Sequence, residues 1–143
     1  MKSLETIRKE VEKLQDKLGK PVEEHIKELV IGLRWCGITT ESSCEGHEEY
    51  GAGYPWVKIA YDQAEKLVQV LGWQNRPVLP NNQPNKNIWV IRPGGLLELM
   101  PENRNLPLKK LQEQAIEFGH FLQDREDDWF HEDCFRNRFK KQT

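Results

Sequence analysis

Residues 88–100, IWVIRPGGLLELM, contain the clearest secondary-structure signal in the chain. Two short runs of aliphatic and β-branched residues flank the turn sequence Pro93-Gly94-Gly95, and this pattern predicts a β-hairpin. Two further runs, residues 38–43 and 56–61, are rich in β-branched residues or alternate in polarity, and they predict two more strands. Hairpin strands pair antiparallel, so we expect a mostly antiparallel sheet of about four short strands.

Apolar residues at spacings of three and four mark the helices. Two such stripes precede the strands, at residues 4–18 and 21–37, and together they predict a helical hairpin over residues 1–37. Asp62 and Glu65 resemble a capping box, which predicts a middle helix that begins there and ends near Gly72.

The last predicted helix lies after the hairpin strands, where Pro107 begins a long C-terminal helical pattern. Strands and helices do not alternate strictly, so the predicted class is α+β rather than a doubly wound parallel fold. We expect a single domain over residues 1–143. It comprises the helical hairpin at 1–37, the sheet with one helix at 38–100, and the C-terminal helix and tail at 101–143.

Composition and charge limit the functional classes. The chain has 143 residues, of which 37% are hydrophobic and 31% charged, a balance typical of a globular domain. A net charge of −2 provides no global field to attract nucleic acid. The charged start, MKSLETIRKE, is not followed by an apolar run, and residues 29–33 are too short to cross a bilayer. We expect a cytoplasmic protein without membrane association, whose three cysteines are thiols or ligands rather than disulfides.

The main candidate for a functional site is the segment Ser-Ser-Cys-Glu-Gly-His, residues 42–47, which we call the Cys44 loop. It begins in the last residues of the strand predicted over residues 38–43, and loops on a rigid scaffold commonly carry binding and catalytic side chains. Cys44 and His47 are the candidate catalytic residues. The candidate ligand-binding residues are Thr40, Ser42, Ser43, Glu45, Gly46 and Lys58.

Several kinds of site fit this loop, and the sequence leaves them open. Cys44-x-x-His47 is mirrored by His131-x-x-Cys134, and the four side chains match a Cys₂His₂ zinc site. Alternatively, Cys44 is a nucleophile with His47 as its base, although the neighbouring glutamates disfavour the thiolate. A third alternative is a binding loop whose backbone amides around Gly46 hold a small anionic or nucleotide ligand. The fourth is a plain turn that holds a buried cysteine.

Residues Thr40 to His47, followed by Pro55-Trp56-Val57-Lys58-Ile59, resemble a loosely defined group of uncharacterised bacterial and phage proteins with a Thr-x-Ser-Cys-x-Gly-His signature. The chain carries one extra residue between the threonine and the Ser-Cys pair. Over a shorter stretch, Thr39-Thr40, Ser42-Ser43-Cys44 and Gly46, the loop is similar to the wybutosine-synthesis family, which methylates a modified guanosine in tRNA. His47 stands where that family has arginine. The resemblance implies a methyltransferase-like enzyme with S-adenosylmethionine and tRNA as ligands, and a site lined by Ser42, Ser43, Cys44 and His47.

Two further patterns suggest partners. Aromatic and cationic residues interleave over a positive segment, which is typical of single-stranded RNA binding; they are Trp73, Arg76, Lys86, Trp89 and Arg92. The apolar stripe at residues 4–18 is alternatively an interface for a homodimer.

The leading hypothesis is a small ligand- or metal-binding domain. The alternatives are an enzyme acting on a nucleotide or RNA substrate, and an interaction protein that uses its first helix.

Overall fold

The computed structural model describes residues 2–16, 18–77, 81 and 83–125, and this part of the chain has the predicted α+β fold. Its helices are α1 (Leu4–Lys13), α2 (Glu24–Trp35), α3 (Ala64–Gln74) and α4 (Leu108–Gln123). Its strands are β1 (Ser42–Cys44), β2 (Trp56–Ile59), β3 (Trp89–Arg92) and β4 (Leu97–Pro101). They form one antiparallel sheet in the order β1-β2-β4-β3, so the predicted hairpin and sheet are confirmed. No helix within these ranges is long and apolar enough to cross a membrane.

One face of the sheet packs against the helices. Val57 lies opposite Leu99 in the ladder, and both side chains are fully buried. Trp89 packs edge-on against Phe118 of α4, with ring centroids 5.3 Å apart. Because alternate residues of a strand point to opposite faces, these positions place the apolar face of β2, β3 and β4 in the core.

The connector between α1 and α2 differs from the prediction. Helix α1 ends at Lys13 instead of continuing to Leu18, and α2 begins at Glu24 rather than at Pro21. The Asp16 carboxylate accepts hydrogen bonds from the amides of Leu18 and Lys20. Such local side-chain bonds compete with helical hydrogen bonds, which explains why the apolar spacing alone overestimates the helix.

The other boundaries shift by a few residues. The strand predicted over residues 38–43 is the shorter β1, and α3 follows a 3-10 turn at Tyr61–Gln63 without a side-chain cap from Asp62. Helix α3 also continues past Gly72, so that glycine does not end it.

Helix α1 uses most of its apolar stripe within the chain. Ile7 and Val11 are buried, Leu4 and Leu14 pack against the same core, and Leu18 is 80% exposed. The predicted homodimer through residues 4–18 stays a prediction, and it would have to use surface other than the buried side chains.

Helices α2 and α4 are in close contact at Gly119. A methyl group on Gly119 would lie 2.4 Å from the backbone carbonyl of Glu28, and one on Gly32 would lie 2.8 Å from the Gly119 oxygen. These distances are far below van der Waals contact, so the two helices touch backbone to backbone at this point.

The substitution Gly119→Ala should therefore force the helices apart. We expect a loss of at least about 1–3 kcal/mol in the free energy of unfolding, the usual cost of overpacking. The matched control is Gly72→Ala in α3, where a methyl group meets nothing within 4 Å. That change should stabilise the protein by about 0.5–1 kcal/mol, because alanine favours the helix. Denaturant unfolding measures both, and equal stability of the two variants would contradict the packing argument.

A polar cluster around Glu28 joins α1, α2 and α4. Arg8 donates to both carboxylate oxygens of Glu28, at 2.8 and 3.0 Å, and also to the Gln123 side chain. His120 lies 3.2 Å from the same carboxylate. Hydrogen bonding from Arg8 lowers the pKa of Glu28 below its ordinary value.

Since the folded state binds this proton less tightly than the unfolded state, the contribution of Glu28 is complete above the ordinary carboxyl pKa. It is lost as pH falls through the lowered folded-state value. We expect Glu28→Gln to flatten the dependence of the unfolding free energy on pH between about pH 5 and pH 2. The exposed Glu117 provides the control Glu117→Gln, which should leave the wild-type slope. An unchanged slope in Glu28→Gln would show that the carboxylate is not stabilised in the fold.

Candidate metal centre

A reciprocal pair of hydrogen bonds attaches the Cys44 loop to the start of α2. Glu23, the residue before the helix, accepts the backbone N–H of Glu45 at 3.0 Å. Glu45 in turn accepts the backbone N–H of His25, in the first turn of the helix, also at 3.0 Å. The first amides of a helix lack partners within it, so the Glu45 carboxylate acts as a cap supplied by a distant segment.

Gly46 makes the sharp turn that follows. Its φ is +87°, a conformation that favours glycine, and a methyl group there would lie 2.7 Å from Leu108 and 2.8 Å from the Tyr54 backbone. The Glu45 carbonyl accepts a hydrogen bond from Gln112 of α4 at 3.1 Å. The turn is thus fixed between α2 and α4.

This turn brings Glu23, Cys44 and His47 together. One ligand atom from each residue, the sulfur, an imidazole nitrogen and a carboxylate oxygen, lies within 4.8 Å of the other two. His47 Nε2 is 3.0 Å from Glu23 Oε2, and the imidazole stacks on the Tyr50 ring with centroids 4.4 Å apart. All three residues are partly buried, so they are shielded but still reachable from solvent.

Zinc bonds of about 2.0–2.3 Å in a tetrahedral arrangement separate the ligand atoms by roughly 3.3–3.8 Å. The observed spacing is therefore close to what a bound cation requires. We call these three residues the triad.

The charge around Cys44 opposes a free thiolate. Burial raises the pKa of the Cys44 thiol, and the carboxylates of Glu23 and Glu45 raise it further. The Gly46 N–H, 3.4 Å from the sulfur, acts in the opposite direction. A nucleophilic cysteine needs a lowered pKa, so this environment does not favour thiol catalysis. A coordinated cation removes the difficulty, because it deprotonates a ligand thiol directly.

A cleft of about 320 Å³ lies beside the triad, between α2, the connector and β1. Glu23 and His47 are at its wall, and Arg34 lines it further along α2. The other lining residues are Leu14, Gln15, Asp16, Lys20, Pro21, Val22, Val30, Thr40, Glu41, Ser42, Ser43 and Tyr50.

The structure places most of the remaining predicted site residues at or beside the cleft, with Lys58 as an exception. Thr40, Ser42 and Ser43 line the cleft, whereas Glu45 and Gly46 are the framework that orients the triad. Lys58 pairs with Ser42 in the strand ladder, but its ammonium group lies 5.0 Å from the Trp56 ring centroid rather than in the cleft. His131 and Cys134, the predicted partners in a Cys₂His₂ set, lie outside the described residues.

Sequence reasoning did not find Glu23. One signal could have indicated it: Glu23 is at a helix N-cap, a position where Ser, Thr, Asp and Asn are preferred and glutamate is unusual. The Glu23 side chain makes no capping bond to its own helix and is directed to the loop instead.

Comparison of the chain with protein-family models, curated proteins and solved structures gives no match. The likeness of the Cys44 loop to the phage and bacterial group and to the wybutosine-synthesis family therefore stays a prediction, together with S-adenosylmethionine and tRNA as ligands.

RNA binding by the positive segment also stays a prediction. Trp73 and Trp89 are buried in the core, and Arg92 pairs with Glu98 and Tyr54. Arg76 and Lys86 are exposed, so base stacking on the two indoles would need the core to open.

The environment of Cys44 predicts a slow thiol. In metal-free protein at neutral pH, we expect Cys44 to be alkylated more slowly than free N-acetylcysteine, because burial and two carboxylates raise its pKa. Peptide-resolved mass spectrometry measures the rate, with the fully buried Cys36 as the unreactive control. Glu23→Gln should accelerate the reaction by removing one repelling charge. A Cys44 that reacts faster than the free thiol would restore the catalytic hypothesis.

Proposed function

We propose that this protein binds a zinc-class divalent cation through Glu23, Cys44 and His47. The observation that carries the proposal is the convergence of a sulfur, an imidazole nitrogen and a carboxylate oxygen within 4.8 Å. These three ligand types are the ones that zinc uses in proteins, and together they favour it over magnesium or calcium, which prefer oxygen alone.

The surrounding contacts support a prepared ligand set. Glu23 uses its second oxygen to accept the Glu45 amide, and the Cys44 sulfur accepts the Gly46 amide. Such outer contacts orient metal ligands and hold them in place before the ion arrives. The His47 imidazole also stacks on the ring of the exposed Tyr50.

Three protein ligands leave one position of a tetrahedral zinc ion for water or substrate, the arrangement of catalytic rather than structural sites. Because Glu23 and His47 line the cleft, an ion held by them lies at its wall. His131 or Cys134 would close the fourth position if the predicted Cys₂His₂ pairing contributes, and the variants below separate these two cases.

The test is metal binding by full-length protein purified without added zinc. Metal analysis, zinc titration against a chromophoric chelator, and the sulfur-to-cobalt charge-transfer band of cobalt-loaded protein measure stoichiometry and ligand type. We expect one equivalent to bind, and we expect Glu23→Gln, Cys44→Ser and His47→Gln each to weaken binding by roughly 100-fold or more. The cobalt charge-transfer band should disappear in Cys44→Ser.

The matched control is Glu24→Gln, which removes the exposed neighbour of Glu23 and should leave the affinity unchanged. The pair His131→Ala and Cys134→Ser should also leave binding intact if the fourth position is open. Folded wild-type protein that takes up neither zinc nor cobalt would overturn the proposal, as would unchanged binding in Cys44→Ser.

A further inference from the structure

The cleft beside the triad has a cation at its far end. Glu23, Val30 and Arg34 line the cleft from α2, at positions that recur along one face of a helix. Arg34 lies eleven positions after Glu23, which corresponds to roughly 16 Å along the helix axis.

Arg34 has no carboxylate within ion-pair distance among the described residues. Its Nε donates to the Thr40 hydroxyl at 3.1 Å, and its Nη2 donates to the Thr40 carbonyl at 3.0 Å. Glu10 and Glu41 act on it only through space, and burial lowers the pKa of the guanidinium. A partly buried cation with only neutral partners is the kind of group that an anionic ligand stabilises.

The geometry of the guanidinium favours a planar anion. Arginine has five N–H donors, and the two bonds to Thr40 occupy one side of the fork. The end formed by Nη1 and Nη2 keeps its donors, and this edge matches the two oxygens of a carboxylate. The hydroxyls of Ser42 and Ser43 also line the cleft and supply further donors.

The charges and apolar groups of the cleft narrow the ligand class. Asp16, Glu23 and Glu41 line the cleft together with Lys20 and Arg34. The three carboxylates disfavour a doubly charged phosphate more than a singly charged carboxylate. Four of the lining residues are apolar, namely Leu14, Pro21, Val22 and Val30. This distribution fits an aliphatic or otherwise apolar body with a single negative charge at one end.

We propose that the cleft binds a monocarboxylate with an apolar body, whose carboxylate contacts Arg34 and whose opposite end reaches the metal at the triad. The metal end of this inference rests on the proposed function, whereas the carboxylate end rests on Arg34 and the cleft alone. The ligand class is therefore that of a medium-chain carboxylic acid with a metal-binding group at the far end.

The experiment uses linear mercaptoalkanoates, from mercaptopropionate to mercaptooctanoate, added to the cobalt-loaded full-length protein. The thiol binds cobalt and changes its charge-transfer band. The length of the alkyl chain determines whether the carboxylate reaches Arg34. Mercaptoalcohols of the same length are the controls without charge. At the chain length that spans the cleft, we expect the acid to bind roughly tenfold or more tightly than the alcohol, as charge-assisted hydrogen bonds predict.

Variants locate the anion contact. Arg34→Met should abolish the preference for the acid, and Arg34→Lys should retain part of it, since lysine keeps the charge but not the fork. Lys20→Met, which removes the exposed cation of the cleft, should keep the preference. Thermal unfolding of each variant checks the fold, and the comparison of acid with alcohol on wild-type protein needs no variant.

The outcomes of this experiment distinguish the carboxylate proposal from the metal-binding proposal. If cobalt loads normally but acid and alcohol bind equally at every length, the carboxylate inference is wrong and metal binding stands. If cobalt does not load, the metal-binding proposal fails. The contact with Arg34 is then tested on the metal-free protein by adding hexanoate or hexanol and measuring the amide NMR shifts of Thr40 and Ser42. Selective shifts with hexanoate would support the carboxylate contact, and identical responses would overturn it.

Discussion

The backbone contact between α2 and α4 at Gly119 is the constraint on which the arrangement of the site depends. Without a side chain at this position, α4 lies directly on the Glu28–Leu29 segment of α2. Helix α2 is therefore held at a fixed depth against the core. Glu23 is at its start and Arg34 in its last turn, so one rigid element determines the position of both ends of the cleft.

The same contact explains how a loop can be ordered without regular structure of its own. Glu45 is attached to α2 through Glu23 and His25, and to α4 through Gln112. Since α2 and α4 are in direct backbone contact, these hydrogen bonds attach the segment that carries Cys44 and His47 to two helices packed on each other. Burial of the turn between Tyr54 and Leu108 adds a steric limit, because only glycine fits at position 46.

Local signals in the sequence were sufficient for the fold class and for the existence of each described α-helix and β-strand, but not for the 3-10 turn at Tyr61–Gln63. Pro93-Gly94-Gly95 between two apolar runs predicted the hairpin, and apolar spacing predicted the helices, since both depend on neighbours along the chain. The predicted end of α1 was wrong because Asp16 makes hydrogen bonds with backbone amides, and apolar periodicity contains no information about such bonds. Cys44 and His47 were found as a pair, but Glu23 comes from a segment twenty-one residues before Cys44, and only the packing of α2 brings it there.

The order of the sheet has a consequence for behaviour at high concentration. Strands β1 and β3 are its two edges, and an edge strand with free backbone groups can recruit a second molecule and start aggregation. Strand β1 has only three residues, and the chain leaves it directly for contacts with the start of α2. Strand β3 has four residues, and Arg92 places a charge at its end. Edge strands of three and four residues offer few backbone groups to a second molecule, which limits edge-to-edge pairing.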